Sequence, residues 1–178
     1  MVKLKSAPKA QETVLSSEEF RAAFRDHPAG VAVITADAGS GPVALTASSV
    51  ASVSAEPPLI MFSVSEMSSS TPTIRQAKTV VVHLLGADQV HIAKLGATSG
   101  IDRFADRSVW DVLPTGETYF PGARTWIRAR VIDLMLAGGS AVLLVEALEA
   151  KPADEASSEP LVYHNRTWHR LGDHSRID

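Results

Sequence analysis

Two hydroxyl-rich segments contain the residues of this 178-residue chain best suited to bind a ligand. The first, residues 46–54, has almost only small or hydroxyl-bearing side chains, which allow a ligand to lie against the backbone. The second, residues 65–73, leads into a predicted helix start, where unpaired N–H groups favour a phosphate. Tight strand packing is the alternative for the first segment, and plain helix capping is the alternative for the second.

A third group of residues near the C-terminus could form a wall for a planar ligand. If residues 165–166 form a two-residue hairpin turn, Tyr163 faces Trp168 across the two strands. The same aromatic pair is equally consistent with a packed core. His164 and His169 then share the other face only diagonally, with no carboxylate at a matching spacing, which disfavours a metal site.

Other chemistries find weaker support in the sequence. His83 lies inside an apolar strand segment and is predicted to be a core histidine. The acidic and basic residues of segment 102–107 are typical of a solvated, internally paired surface. No serine lies in a GxSxG turn, and neither a Walker loop nor a GxGxxG pattern is present.

The composition excludes several classes of protein. The chain has no cysteine, which rules out disulfides, zinc–thiolate sites and a cysteine nucleophile. Its 17 Lys+Arg and 20 Asp+Glu give a net charge of -3, which disfavours nucleic-acid binding. Neither a signal peptide nor an apolar run of the roughly 20 residues that a membrane span needs is visible. We therefore expect a cytoplasmic protein that binds neither nucleic acid nor membrane.

The elements that must position these residues are mostly β-strands. Strand patterns are predicted at residues 30–36, from 43 through the 46–54 stretch, and at 59–65, 79–85, 125–137, 140–150 and 161–170. Strands that follow one another at turn-length intervals favour an antiparallel barrel over a βαβ sheet.

Helices are predicted to be few and short. Ser16 and Glu19 form a capping box, with Leu15 and Phe20 at the two hydrophobic-staple positions, and this helix ends before Pro28.

Thr71 is predicted to cap a second helix, which has Pro72 at its first position and runs to about Ala77, and Asp88 is predicted to cap a third, which runs through Leu95. Residues 1–14 are predicted to be a flexible arm, residues 15–172 one folded domain and residues 173–178 a tail.

Six segments occur in an order that identifies a family. They are HPAGVAVIT (27–35), GPVALTASSVASVSAEPPLIMFSV (41–64), SSSTPTI (68–74), VVHLLGADQ (81–89), DRFA (102–105) and PLVYHNRTWHRL (160–171). Together they resemble the flavin reductase family, the flavin-reducing partners of two-component monooxygenases, over about residues 17–172. The resemblance implies a mainly β fold, a split β-barrel with a few short helices, that forms a homodimer and holds flavin at the subunit interface.

The resemblance also implies which residues contact the ligands. The implied flavin contacts are Thr46, Ala47, Ser48, Ser49, Val64, Ser65, Ser69, Ser70, Thr71, His83, Leu84, Lys94 and Phe104. The residues implied to lie on the nicotinamide side are Tyr163, His164 and Trp168.

The activity implied by the resemblance is transfer of a hydride from NADH or NADPH to FMN or FAD, with the reduced flavin supplied to a separate monooxygenase. The flavin carries the chemistry, so no catalytic side chain is expected. Two alternatives remain: a flavoprotein with a fixed FMN that reduces a specific organic substrate, and a non-catalytic flavin or haem binder on the same barrel.

One departure from the family pattern concerns the nicotinamide nucleotide. Many members carry a Gly-Asp-His turn before the penultimate long strand, and this chain has Ser140 in place of the histidine. Near Val145 the usual glycine of that strand is also replaced. The sequence therefore supports flavin binding better than it identifies the hydride donor.

Overall fold

The computed structural model describes residues 14–153 and 159–177. Of the predicted N-terminal arm, all residues except Val14 lie outside the described residues. The described part contains three α-helices, α1 (Ser17–Arg25), α2 (Thr71–Gln76) and α3 (Val90–Ala97). None of these helices is long and apolar enough to cross a membrane.

Helix α1 begins with the predicted capping box. The Glu19 N–H donates to the Ser16 hydroxyl at 3.2 Å, and the Ser16 N–H donates to the Glu19 carboxylate at 2.9 Å. The hydrogen bond from the Ser16 side chain also lowers the pKa of Glu19. Leu15, just before α1, and Phe20 within it are 62% and 52% exposed. In the described part of the chain, no side chain of α1 is buried.

Helix α3 begins later than predicted. A 3-10 turn, Ala87–Gln89, precedes it, and Gly86 rather than Asp88 occupies the cap position of that turn. The Gly86 N–H donates to the side-chain oxygen of Gln89 at 2.8 Å, which is the backbone-to-N3 bond of a capping box.

The longer predicted strands are confirmed. The described strands are β1 (Ala29–Gly30), β2 (Ala32–Asp37), β3 (Pro42–Ala47), β4 (Ala51–Ser54), β5 (Leu59–Ser65), β6 (Thr79–Leu84), β7 (Asp111–Val112), β8 (Thr118–Tyr119), β9 (Thr125–Ala137), β10 (Ser140–Lys151), β11 (Leu161–His164) and β12 (Thr167–Arg170). Of these, β7 and β8 were not predicted, and the predicted 43–54 strand is divided in two, β3 and β4. Among the described residues, seven strands form one antiparallel sheet in the order β3-β2-β6-β9-β10-β5-β4. Strands β1, β11 and β12 form a smaller sheet beside it, and β7 pairs with β8.

The connection between β3 and β4 closes the sheet into a barrel. These strands lie at opposite edges of the sheet, yet only residues 48–50 join them, so the Cα atoms of Ala47 and Ala51 are at most about 14 Å apart. The two edges must therefore curl towards each other, which confirms the predicted split barrel. The prediction of one continuous strand from residue 43 to residue 54 is wrong, because the chain leaves β3 at residues 48–50. We call these three residues the seam of the barrel.

The core lies on both sides of β2. Ile34 points into the barrel with Phe62, Leu143 and other buried residues. Val33, its neighbour in sequence, points the other way into a second cluster that includes Phe104. Because both faces of β2 are buried, its apolar residues do not alternate with exposed polar ones, and its one buried polar side chain, Thr35, donates to the Thr118 carbonyl.

Candidate functional site

A cavity of about 760 Å³ opens between helix α1, the barrel seam and the β11–β12 hairpin. Its walls include Ser48 and Ser49 from the seam and Tyr163 and His164 from the hairpin. The structure thus brings two residues predicted on the flavin side together with two predicted on the nicotinamide side. Helix α1, which the sequence did not connect with a site, forms the third wall.

The hairpin wall is built by a two-residue turn, as predicted. Asn165 and Arg166 have φ values of 45° and 62°, the left-handed conformation that a tight two-residue hairpin turn requires. Tyr163 is the cross-strand partner of Trp168, and their ring centroids are 4.7 Å apart. The Asn165 N–H donates to the Arg25 carbonyl at 3.2 Å, which fixes the turn to the end of α1.

The seam presents one open hydroxyl to the cavity. The Ser49 hydroxyl donates to the Ser63 carbonyl of β5 at 3.1 Å and accepts the Ser63 N–H at 2.9 Å. Ser49 therefore holds the barrel closed. Ser48 beside it is exposed and lies on the cavity wall, so its side chain is the better placed of the two to meet a ligand.

Thr46 of β3, another predicted flavin contact, uses its hydroxyl to hold helix α3. The Thr46 hydroxyl donates to the Ala93 carbonyl of α3 at 2.6 Å. Gly96 lets the helix come this close, because a Cβ at that position would lie 3.1 Å from the Thr46 nitrogen and still closer to its hydroxyl. Lys94 is exposed on this helix, and the Ala47 side chain is buried in the barrel core.

The predicted phosphate segment has one open hydroxyl as well. The Ser70 hydroxyl donates to the Ala44 carbonyl at 2.8 Å, and the Thr71 hydroxyl donates to the Ser65 carbonyl at 2.6 Å. Ser70 rather than Thr71 occupies the cap position of α2, which corrects the predicted cap. Ser69, by contrast, is exposed.

Arg103 lies beside this segment and was missed by the sequence analysis. Its Nη1 is 3.5 Å from the Ser70 hydroxyl oxygen, and its Nη2 donates to the Thr98 carbonyl at 2.6 Å. Its Nε is buried without a hydrogen-bond partner among the described residues. A guanidinium with an unused, buried N–H suits an anion.

The prediction that segment 102–107 is an internally paired surface is wrong for Arg103. Asp102 accepts the Phe104 N–H at 2.9 Å, and Asp106 accepts hydrogen bonds from Ser108, whose hydroxyl lowers the pKa of Asp106. Both carboxylates thus cap local turns instead of pairing with the arginine. The Asp-x-Phe and Asp-x-Ser spacings are the signal that could have revealed these turns.

His83 is a core histidine, as its position within an apolar strand predicted. Its Nδ1 is 2.9 Å from the Val33 carbonyl oxygen, and its Nε2 accepts the Phe120 N–H at 3.0 Å. Burial lowers the pKa of His83 to about 4, so the ring is neutral at pH 7. With both nitrogens engaged, the side chain has no donor left for a ligand.

The remaining predicted contacts lie outside the cavity wall. Val64 and Phe104 are buried in the two core clusters, while Leu84 is 37% exposed at the end of β6. Ser65 is exposed, and its hydroxyl accepts the Met67 N–H at 3.2 Å. Trp168 is partly buried and packs against the second core cluster.

Comparison with known proteins gives a consistent result. The family model described as "Flavin reductase like domain" matches residues 24–172. An NADH:FMN oxidoreductase of Rhodococcus qingshengii is 44% identical over 160 residues, which are 89% of this chain and 83% of that protein.

Two solved structures share the fold and 30% sequence identity. The flavin reductase domain protein of Arthrobacter sp. FB24 has a TM-score of 0.83, over 92% of this chain and 98% of that chain. BorF, the flavin reductase component of a bacterial two-component tryptophan halogenase, has a TM-score of 0.79, over 89% of this chain and 99% of that chain.

We predict that Gly96→Ala destabilises the protein. Alanine normally stabilises a helix by about 1 kcal/mol relative to glycine. Here the added Cβ would collide with Thr46, so we expect a net loss of about 1–3 kcal/mol in the free energy of unfolding. Thermal unfolding followed by circular dichroism measures this change.

Gly122→Ala is the matched control for this prediction. Nothing lies within 4 Å of a Cβ built at Gly122, and its φ is not positive, so its unfolding should be unchanged. A Gly96→Ala variant as stable as the wild type would contradict the close contact between α3 and β3.

Proposed function

This chain belongs to the family of flavin reductase like domains, and from that premise we propose that it is an enzyme that passes a hydride from NADH to FMN. The proposal is carried by the cavity in which Ser48 and Ser49 face Tyr163 and His164. It joins residues that the resemblance assigns to the flavin with residues that it assigns to the nicotinamide. The name of the Rhodococcus relative supplies the choice of NADH and FMN.

The residues present fit a flavin. Arg103 has a buried N–H without a partner among the described residues, and it lies next to Ser70 and the exposed Ser69. A phosphate there would supply the acceptor that this guanidinium lacks. Ser48 is small and exposed, so a planar ring could approach the backbone of the seam closely. We therefore propose that Arg103 and Ser69 hold the phosphate and that Ser48 borders the ring.

In this proposal the protein binds and orients, and a bound flavin supplies the hydride-accepting ring. Tyr163 lies on the cavity wall, and its ring packs against Trp168 outside the cavity, so Tyr163 offers an aromatic surface on which a planar group can stack. Ser49 keeps the seam in place and thereby fixes the position of Ser48. His83 is neutral and fully engaged with the main chain, so it holds the strands rather than moving a proton.

The first test is the reaction itself. Purified protein is mixed with NADH and FMN, and the loss of NADH absorbance is followed at increasing FMN concentrations. We expect saturable, FMN-dependent oxidation, with NADPH and FAD as parallel assays because Ser140 replaces the histidine of many relatives. Protein that neither binds FMN nor oxidises NADH would contradict the proposal. Flavin that survives dialysis, with poor turnover of added FMN, would indicate the alternative of a fixed prosthetic group.

Ser48→Tyr tests the position of the flavin. The tyrosine ring would occupy the space beside the seam, so we expect FMN affinity to fall by at least about tenfold while the melting temperature changes little. Fluorescence titration of FMN measures the affinity.

Ser40→Tyr is the matched control for this substitution. Ser40 is also exposed, but it lies in the turn between β2 and β3, at the other end of β3. It should bind FMN as the wild type does. If Ser48→Tyr also leaves FMN affinity unchanged, the flavin does not border the seam.

We further propose that the protein is a homodimer that uses the outer face of β5, β9 and β10. On this face Val142 lies between Ser63 and Met135, and Leu144 lies between Met61 and Asp133. Met61 is 40% exposed and Met135 is 59% exposed. Exposed methionines beside other apolar side chains mark an interaction surface, and a second copy would cover it.

Light scattering tests the dimer. We expect a mass of twice 18.9 kDa for the wild type and a shift towards the monomer for Met135→Glu, because a buried carboxylate is costly. A wild-type mass of 18.9 kDa would contradict the proposed association.

The reduced flavin is proposed to pass to a second enzyme. The resemblance is to flavin-reducing partners of monooxygenases, and BorF is the reductase component of a two-component halogenase. We propose that this protein works in the cytoplasm and supplies reduced flavin to a separate monooxygenase.

A further inference from the structure

Three arginines line the cavity without a carboxylate partner among the described residues. Arg21, Arg25 and Arg166 all lie on its walls, and no Asp or Glu is among the described residues that line it. None of the three forms an ion pair with a carboxylate of residues 14–153 or 159–177. In contrast, Arg128 and Arg170 have such partners at 2.7 and 3.6 Å. In a chain with a net charge of -3, this is a local concentration of positive charge.

The backbone of Arg166 gives an independent indication. Its φ of 62° lies in the left-handed region, where a residue with a Cβ is disfavoured and glycine is the usual choice in a two-residue turn. The structure tolerates this conformation at the rim of the cavity. A residue kept in an unfavourable conformation beside a cavity is a candidate for a functional side chain.

The surroundings of the arginines indicate the kind of anion. The Phe24 ring and the Tyr163 ring lie on the same cavity, and rings of this kind can stack against a base. Three guanidinium groups exceed what a single carboxylate needs and match the paired charges of a diphosphate. Arg103, beside Ser70, lies outside this cavity wall, so the flavin phosphate proposed there does not compete for the same arginines.

We propose that Arg21, Arg25 and Arg166 bind the diphosphate of NADH, and that helix α1 is therefore part of the nucleotide site. This inference rests on the proposed function, because it assigns the electron donor to the cavity next to Ser48. The hydrogen bond from the Asn165 N–H to the Arg25 carbonyl joins the turn to the helix. It therefore fixes the position of Arg166 on the turn relative to the arginines of α1.

Two variants test the assignment. Arg166→Gly removes the guanidinium and also relieves the left-handed backbone, so we expect the melting temperature to rise while the KM for NADH increases about tenfold. Arg21→Ala, on the helix wall, should raise the same KM without touching the hairpin. In both variants kcat and the dissociation constant of FMN should stay within about twofold of the wild type.

A binding measurement supplies a readout that does not depend on turnover. ADP-ribose carries the diphosphate but no nicotinamide, and calorimetry should show about tenfold weaker binding to each variant than to the wild type. With reduced nicotinamide mononucleotide, which lacks the diphosphate, the effect on KM should largely disappear. Arg170→Ala is the control, because Arg170 lies on the same hairpin, outside the cavity wall, and pairs with Glu159 at 3.6 Å.

The outcomes separate this inference from the proposed function. A wild-type protein that reduces no flavin with NADH contradicts the proposed function. An active wild type whose two variants keep the KM for NADH and the affinity for ADP-ribose overturns the diphosphate site alone. Variants that lose affinity for FAD but keep the KM for NADH and the affinity for ADP-ribose would assign the arginines to the diphosphate of the flavin. That result would equally overturn the inference.

Discussion

Both the barrel and the cavity follow from the short link between β3 and β4. Three residues must connect strands at opposite edges of a seven-stranded sheet, so the sheet has to close. The Ser49 hydroxyl completes the closure with two hydrogen bonds to the main chain of Ser63. The small side chains of this link leave space outside the barrel, and the cavity lies there. Closure of the fold and formation of the site are thus consequences of the same residues.

The site also depends on elements that contribute little to the core. Helix α1 has no buried side chain in the described part of the chain, yet it forms a cavity wall and is joined to the hairpin turn at Asn165. Hairpin and helix therefore border the cavity from outside, while the Thr46 to Ala93 hydrogen bond fixes α3 to the barrel on the other side. This division allows α1 to carry charged groups without disturbing the core.

Much of the fold could be predicted because it follows from local patterns. The alternation and turn residues gave β9 at residues 125–137, and the Ser16 and Glu19 spacing gave the start of α1. The pairing of Tyr163 with Trp168 followed from the length of the turn. These features depend on residues that are close in sequence, where period and capping rules apply.

The site was harder to predict because it depends on contacts distant in sequence. The residues next to Thr46 in sequence do not show that its hydroxyl donates to the Ala93 carbonyl. In the same way, the residues around Arg103 do not show that it approaches Ser70 rather than the neighbouring carboxylates. The role of α1 as a cavity wall was invisible for the same reason. The hydroxyl-rich segments stay a prediction of the ligand site, and the sequence did not reveal which of their hydroxyls remain open.

A single anaerobic mixing experiment tests hydride transfer from NADH to FMN directly. The protein is combined with FMN and excess NADH without oxygen, and the visible absorbance of the flavin is followed in time. We expect rapid bleaching that requires the protein, and recovery of the colour when air is admitted. If the flavin bleaches no faster with the protein than without it, the protein is not a flavin reductase.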